Sequence, residues 1–179
     1  MRHTLIALVE DRPGALNRVL GLLRGRGLGV HSIAIGQSEK PGVKRTTVLV
    51  DTDAAEQTIK QLNRLIEVLE VTDVTHAQYV VRETALVKIH APEPRREEIR
   101  TVAEGFGAKV IGGTLQTIVV EMTDTPDRLG ELIERAKGFG PCETMRSGSL
   151  AMALEPPTRR AAAPETPSAT WWSQADGVS

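Results

Sequence analysis

Between His3 and Glu10 the chain reads HTLIALVE, an apolar and β-rich run. Past Pro13 the spacing changes: Leu16, Val19, Leu20 and Leu23 stand at i, i+3, i+4 and i+7, which predicts one face of a helix. That helix runs out in Arg24-Gly25-Arg26-Gly27, where the glycines suit a C-terminal cap. VHSIAIG then alternates, with Val30, Ile33 and Ile35 roughly on one side, and reads as a strand. TTVLV at 46–50 is the next strand, Asp51-Thr52-Asp53 offers capping side chains, and Ile59, Leu62 and Ile66 mark a second helical face. Residues 68–81 return to β character.

The same order then repeats. TALVKIHA (84–91) predicts a strand, and Pro94–Phe106 a helix with Ile99, Val102, Ala103 and Phe106 inward. AKVIGG and LQTIVVEMT are two strands, Pro126 opens a helix burying Leu129, Leu132, Ile133 and Ala136, and a last strand lies within Cys142–Leu154. Two βαββαβ units imply an α+β protein made of two ferredoxin-like domains, residues 1–80 and 81–154. Each would lay two helices on one face of an antiparallel sheet and leave the other face for a partner or ligand. Beyond Leu154 the periodicity stops. Residues 155–179 hold four of the ten prolines and both tryptophans, Trp171 and Trp172, and read as a disordered tail.

Composition narrows the function classes. With 22 Lys+Arg against 23 Asp+Glu the net charge is −1, which gives no pull toward nucleic acid or an anionic membrane. Aromatics are 3% of residues, and LIALV and TTVLV carry none, which argues against the RNA-recognition module that shares this strand order. No apolar run approaches the ~20 residues a bilayer span needs, and the N-terminus lacks a signal-peptide cleavage pattern. A single cysteine, Cys142, excludes an intrachain disulfide, and a cytoplasmic location is expected.

No catalytic constellation is visible. The four histidines show no metal-ligand spacing, and there is no nucleophile elbow and no Walker loop. Gly25–Gly29 has the glycines of a dinucleotide turn, but it follows a helix and precedes a strand, the reverse of what phosphate binding requires. Cys142 reads as a small packed hydrophobe.

What stands out is VEDRPGAL at 9–16. Pro13 suits the first helical position, whereas Gly14 in the first turn costs ~1 kcal/mol relative to alanine. It supplies bare amides at the positive end of a helix, approachable by a carboxylate, while Asp11 can receive an ammonium group. Together these describe a free amino acid. The plain alternative, an Asp turn followed by a helix start, accounts for the residues about as well.

VEDRPGALNRVLGLLRGRG followed by VHSIAIG resembles the N-terminal ACT domain of the regulatory (small) subunit of acetolactate synthase. KQLNRLIEVLEV at 60–71, RETALVKI at 82–89 and MRSGSL at 145–150 extend the resemblance over residues 3–154. It implies a non-catalytic chain that dimerises through ACT domains, activates a large catalytic subunit carrying thiamine diphosphate, Mg²⁺ and FAD, and makes it sensitive to valine or a related branched-chain amino acid. It also implies that Asp11, Pro13, Gly14 and Ala15 hold the effector backbone, that Gly29, Val30, Ile33 and Gly36 form the facing wall, and that Gln57 lies nearby. A free-standing amino-acid sensor acting on another target is the alternative. Two departures matter: the family usually places Asn where this chain has Gly29, and the last strand lacks the family's usual serine-arginine-glycine ending. The first implies weakened feedback.

Overall fold

The computed structural model describes residues 1–155. The tail expected from 155 onward, with Trp171 and Trp172, lies outside them apart from its first residue. Thirteen elements follow one another: β1 (Arg2–Glu10), α1 (Ala15–Gly25), β2 (Gly29–Gln37), β3 (Val43–Asp51), α2 (Ala55–Leu62), β4 (Val68–Asp73), β5 (Tyr79–His90), α3 (Glu93–Phe106), β6 (Lys109–Gly113), β7 (Thr117–Asp124), α4 (Pro126–Lys137), β8 (Cys142–Arg146) and β9 (Leu150–Ala153). Sheet order is β2-β3-β1-β4 in the first half and β6-β7-β5-β8 in the second, with β9 also pairing with β5. Each half is therefore a βαββαβ sandwich with its helices on one face.

The cores follow the alternation. Leu5, Ala7 and Val9 of β1 and Val48 and Val50 of β3 meet Ala15, Val19 and Leu23 of α1 and Leu62 of α2. Val87 and Ile89 of β5, with Ile118 and Val120 of β7, meet Ile99 of α3 and Leu129 and Leu132 of α4. Each of these leucine, isoleucine and valine side chains contributes roughly 1.5–3 kcal/mol on burial. Cys142 packs at the edge of the second core; burial raises its thiol, and its Sγ–H points at the Gly140 carbonyl, 3.3 Å away.

Several local expectations change. The helix after Pro13 starts two residues later, at Ala15, because Gly14 is the N-cap with φ +83°, a left-handed conformation that ends the extended segment. Leu20 is 38% exposed, and the buried stripe is Ala15, Val19 and Leu23. The Asp51–Asp53 cluster does not cap α2: Ala54 is the N-cap, without a side-chain bond, and the Thr52 hydroxyl accepts the Ala54 amide instead. Since α2 stops at Leu62, Ile66 falls in the following turn and is 84% exposed. The β stretch 68–81 is split by a turn, so that β5 begins at Tyr79. The last strand breaks at Ser147–Ser149 into β8 and β9, which continue along the same edge of β5.

That break corrects a larger expectation. The back face of the first sheet is not left free, since Ala151 and Ala153 of β9 and Tyr79 of β5 pack with Ile6 and Val74 across it. The two halves are joined by this apolar seam.

The turn leading into β5 is closed by Asp73, which accepts hydrogen bonds from the Thr75 hydroxyl and, at 2.9 Å, from its amide. It also pairs with His3 Nδ1 at 2.7 Å. Burial opposes ionisation of Asp73, but these bonds outweigh it and hold the carboxyl below its ordinary 3.8. A depressed carboxyl contributes stability that is complete above the unfolded-state value and is lost as pH falls through the folded-state value. We therefore expect Asp73→Asn to lower the thermal midpoint at neutral pH and to flatten its decline below about pH 4, measured by calorimetry across acidic buffers.

Candidate effector site

At the β1–α1 junction the backbone does the chemistry. Asp11 N–H donates to the Gly42 carbonyl at 2.8 Å and Arg12 N–H to Glu10 at 2.9 Å, which turns the chain sharply before α1. Ala15 N–H is engaged by the Arg12 carbonyl at 3.1 Å, whereas the amides of Gly14, Leu16 and Asn17 donate to no described residue. Those open amides sit at the positive end of an eleven-residue helix. A Cβ placed on Gly14 would have only Arg18 Nη2 near it, at 3.9 Å, so the site is open above the glycine.

Two cations complete this end. Lys44 Nζ lies 3.2 Å from Asp11 Oδ2. Arg18 Nη1 lies 2.5 Å from Oε1 of the buried Glu67, which anchors α1 to the turn before β4. Arg18 was not among the residues singled out in the sequence, although its i+4 spacing from Gly14 is the available signal. An anion arriving here meets amides and a guanidinium; an ammonium meets the half-exposed Asp11 carboxylate.

The remaining expected site residues divide by position. Asp11, Pro13, Gly14 and Ala15 gather at the end of the sheet where Gly36 pairs with Arg45 and Gln37 with Lys44. Gly29 and Val30 lie at the opposite end, where Gly29 pairs with Asp51, and Gln57 is an exposed residue of α2, the helix that follows that end of β3. Ile33 is midway, packed against the first core. At ~3.3 Å per residue the two ends of β2 are roughly 25 Å apart. A single copy does not bring the groups together.

β2 is an edge strand, and β3 is the one strand of this chain that its backbone pairs with. Its register shifts between Val30 and Ser32, a bulge at His31. The bulge puts Val30 and Ile33, three apart, on the same face as Ile35, which is why the three share a side despite strict alternation. Val30 and Ile35 are 40% and 43% exposed. The bulged His31 reaches Asp51, with Nε2 2.5 Å from Oδ2. That hydrogen bond, with Arg2 and the terminal ammonium adding to it, holds the Asp51 carboxyl below its ordinary range. Where the strand leaves α1, Gly27 at φ +64° forms the helix end: Leu28 N–H reaches the Leu23 carbonyl at 3.4 Å and Gly27 N–H that of Arg24 at 3.0 Å.

Two family models match the chain, an acetohydroxyacid synthase small-subunit-like ACT domain at residues 5–70 and the small subunit of acetolactate synthase at 82–155. The probable acetolactate synthase small subunit of Archaeoglobus fulgidus is 37% identical over 154 residues, 85% of this chain and 96% of its own length. The chain belongs to the acetolactate synthase small-subunit family. The small subunit of Bacillus subtilis is 38% identical over 156 residues, covering 86% of this chain and 91% of the relative. Among solved structures, the family member from Thermotoga maritima superposes with a TM-score of 0.79 at 30% identity, over 87% of this chain and 99% of that one. In family terms the first half is the ACT domain. Among the described residues, no helix is long and apolar enough to cross a membrane, and no group of three or more His, Cys, Asp or Glu side chains is placed to hold a metal ion.

Proposed function

We propose that this chain is the regulatory subunit of acetolactate synthase: it binds and activates the catalytic subunit and carries a feedback site for a branched-chain amino acid, valine, which responds weakly. The observation that carries this reading is the open helix start at Gly14, with three unengaged amides, Arg18 beside them and Asp11 three residues earlier. It suits the carboxylate and the ammonium of one amino acid. The thiamine diphosphate, Mg²⁺ and FAD of the reaction belong to the catalytic partner. This chain's part is to bind, position and signal.

The site is completed by a second copy. Antiparallel pairing of β2 with β2 across a two-fold axis near Ile33 sets Gly29 and Val30 of one copy beside Gly36 and the Gly14 turn of the other. The apolar edge formed by Val30 and Ile35 supplies the contact and is covered by it. The weakness follows from Gly29, which offers no side chain to the ligand. Its backbone is not left-handed, and a Cβ there would meet Asp51 Cβ at 3.4 Å, so a side chain can start from this position.

Titrating the full chain into its cognate catalytic subunit tests the reading. The chain alone should form no acetolactate, and the mixture should exceed the catalytic subunit's own rate; an unchanged rate at saturation removes the assignment. Valine should inhibit the assembled enzyme weakly. Gly29→Asn should lower the half-inhibitory valine concentration about tenfold, the value of one added hydrogen bond of ~1.4 kcal/mol.

A further inference from the structure

Two sequence blocks that carry the family resemblance, Arg82–Ile89 and Met145–Leu150, contribute nothing to the Gly14 site, yet the fold brings them into contact. Glu83 of β5 is 4% exposed. Its Oε2 accepts Arg146 Nε at 2.7 Å as well as Arg146 Nη2, and its Oε1 accepts the Ser149 hydroxyl at 2.5 Å. Thr84 and Ser147 close the same corner through two bonds of 3.0 Å, from Thr84 N–H to Ser147 Oγ and from Ser147 N–H to the Thr84 carbonyl.

From this corner the contacts run in two directions. Arg146 Nη2 donates to the carbonyl of Pro126, the first residue of α4, at 3.2 Å. Ser149 N–H donates to Ser32 Oγ on β2 at 3.2 Å, and Ala151 N–H to Thr47 Oγ1 on β3 at 3.4 Å. Gly148 has φ +79°, and a Cβ there would lie 3.1 Å from the Ile33 carbonyl oxygen, so only glycine lets the Ser147–Ser149 loop approach β2 this closely. The loop is thus the one covalent crossing between β8 and β9, pinned at one end by a buried carboxylate and resting at the other on the edge strand.

A buried carboxylate must keep its partners, since breaking such a pair leaves an uncompensated charge. Displacement of β2 that carries Ser32 along therefore pulls on Ser149, and through Glu83 on Arg146 and the start of α4. Within one copy β2 pairs with β3 on one side only, and the loop is its support from the second domain. Ser32 sits directly after the His31 bulge, two residues from Val30 in the effector wall.

We propose that Glu83 is the positioning residue that couples the effector strand to the second domain, holding Ser149 against Ser32 on one side and Arg146 against α4 on the other. The proposal rests on the reading that β2 walls an amino-acid site. A signal received at β2 then reaches α4 without any ligand contact in the second domain.

The test compares the full chain with Ser149→Ala and Glu83→Gln. Ser149→Ala removes the hydroxyl bond to Glu83 and retains the Glu83–Arg146 pair, the milder of the two changes, and thermal melting of each variant shows that it is folded before exchange is read. Amide hydrogen exchange read by mass spectrometry should accelerate about tenfold across residues 30–35 in Ser149→Ala, with β7 and α3 unchanged. In the assembled enzyme, activation should stay within twofold of the unsubstituted chain, while the half-inhibitory valine concentration rises at least tenfold. Exchange in 30–35 that matches the unsubstituted chain overturns the coupling. So does loss of activation in parallel with the valine response, which would make the cluster a stabilising element alone. If the strand loosens as expected while the unsubstituted complex ignores valine, the coupling stands and the effector assignment falls.

Discussion

Charging the open edge of β2 with the double substitution Val30→Lys, Ile35→Lys is expected to leave a folded monomer that binds valine at least a hundredfold more weakly than the parent chain. Both positions are 40% or more exposed and share one face at the strand edge. In an isolated copy a lysine at either site can extend into water along its aliphatic stem, so the cost to folding is small. Across a β2–β2 contact the same residues bring like charges into the seam and remove its apolar area; lysine on an edge strand is how natural sheets refuse partners. The loss of affinity follows from the geometry of one chain, in which Gly14 and Gly29 lie at opposite ends of the sheet. With half of the contacts gone, a hundredfold loss corresponds to ~2.7 kcal/mol. Sedimentation, thermal melting and calorimetry on the same sample give all three quantities. A variant that remains dimeric, or a monomer that binds valine as the parent does, refutes the two-copy site.

What could be read in the sequence followed from periodicity. Leu129, Leu132 and Ala136 at helical spacing, and Leu5, Ala7 and Val9 at alternate positions, each bury the face that the spacing implies, because burial of apolar area decides both patterns. Element ends were less legible, because they depend on backbone conformation. Gly14 takes φ +83° as the N-cap, whereas Pro13 and the apolar spacing after it place this glycine in the first helical turn. Contacts between the halves were hidden altogether. Nothing in SGSLAMAL announces that Ala151 will lie on Ile6 or that Ser149 will meet Ser32, since pairing over more than a hundred positions leaves no local trace. The proposed effector residues could be listed from the sequence as a set of residue types but not as a place: one-dimensional spacing cannot tell that Gly29 and Gly36, seven residues apart in one strand, stand at opposite ends of a sheet.

Gly14→Asp should abolish the valine response of the assembled enzyme, by at least a hundredfold in half-inhibitory concentration, while activation of the catalytic subunit survives. Three effects add at this position. A left-handed backbone costs a non-glycine residue roughly 1 kcal/mol, although aspartate bears it better than most. The new carboxylate lies over the open amides of α1 and satisfies them, so the dipole end is neutralised before any ligand arrives. It also stands close to Arg18, whose Nη2 is 3.9 Å from the Cβ position, and draws that guanidinium away from Glu67. The effector's own carboxylate then meets a negative charge where it needs a positive one, and desolvating both is unfavourable. Gly14→Ala separates these causes, since it carries the backbone strain without the charge and meets no atom closer than 3.9 Å. Its response to valine should fall less than tenfold, and its melting temperature should drop by a few degrees. Equal responses in the two variants would show that strain alone governs the site, and an undiminished response in Gly14→Asp would place the amino acid elsewhere on the molecule.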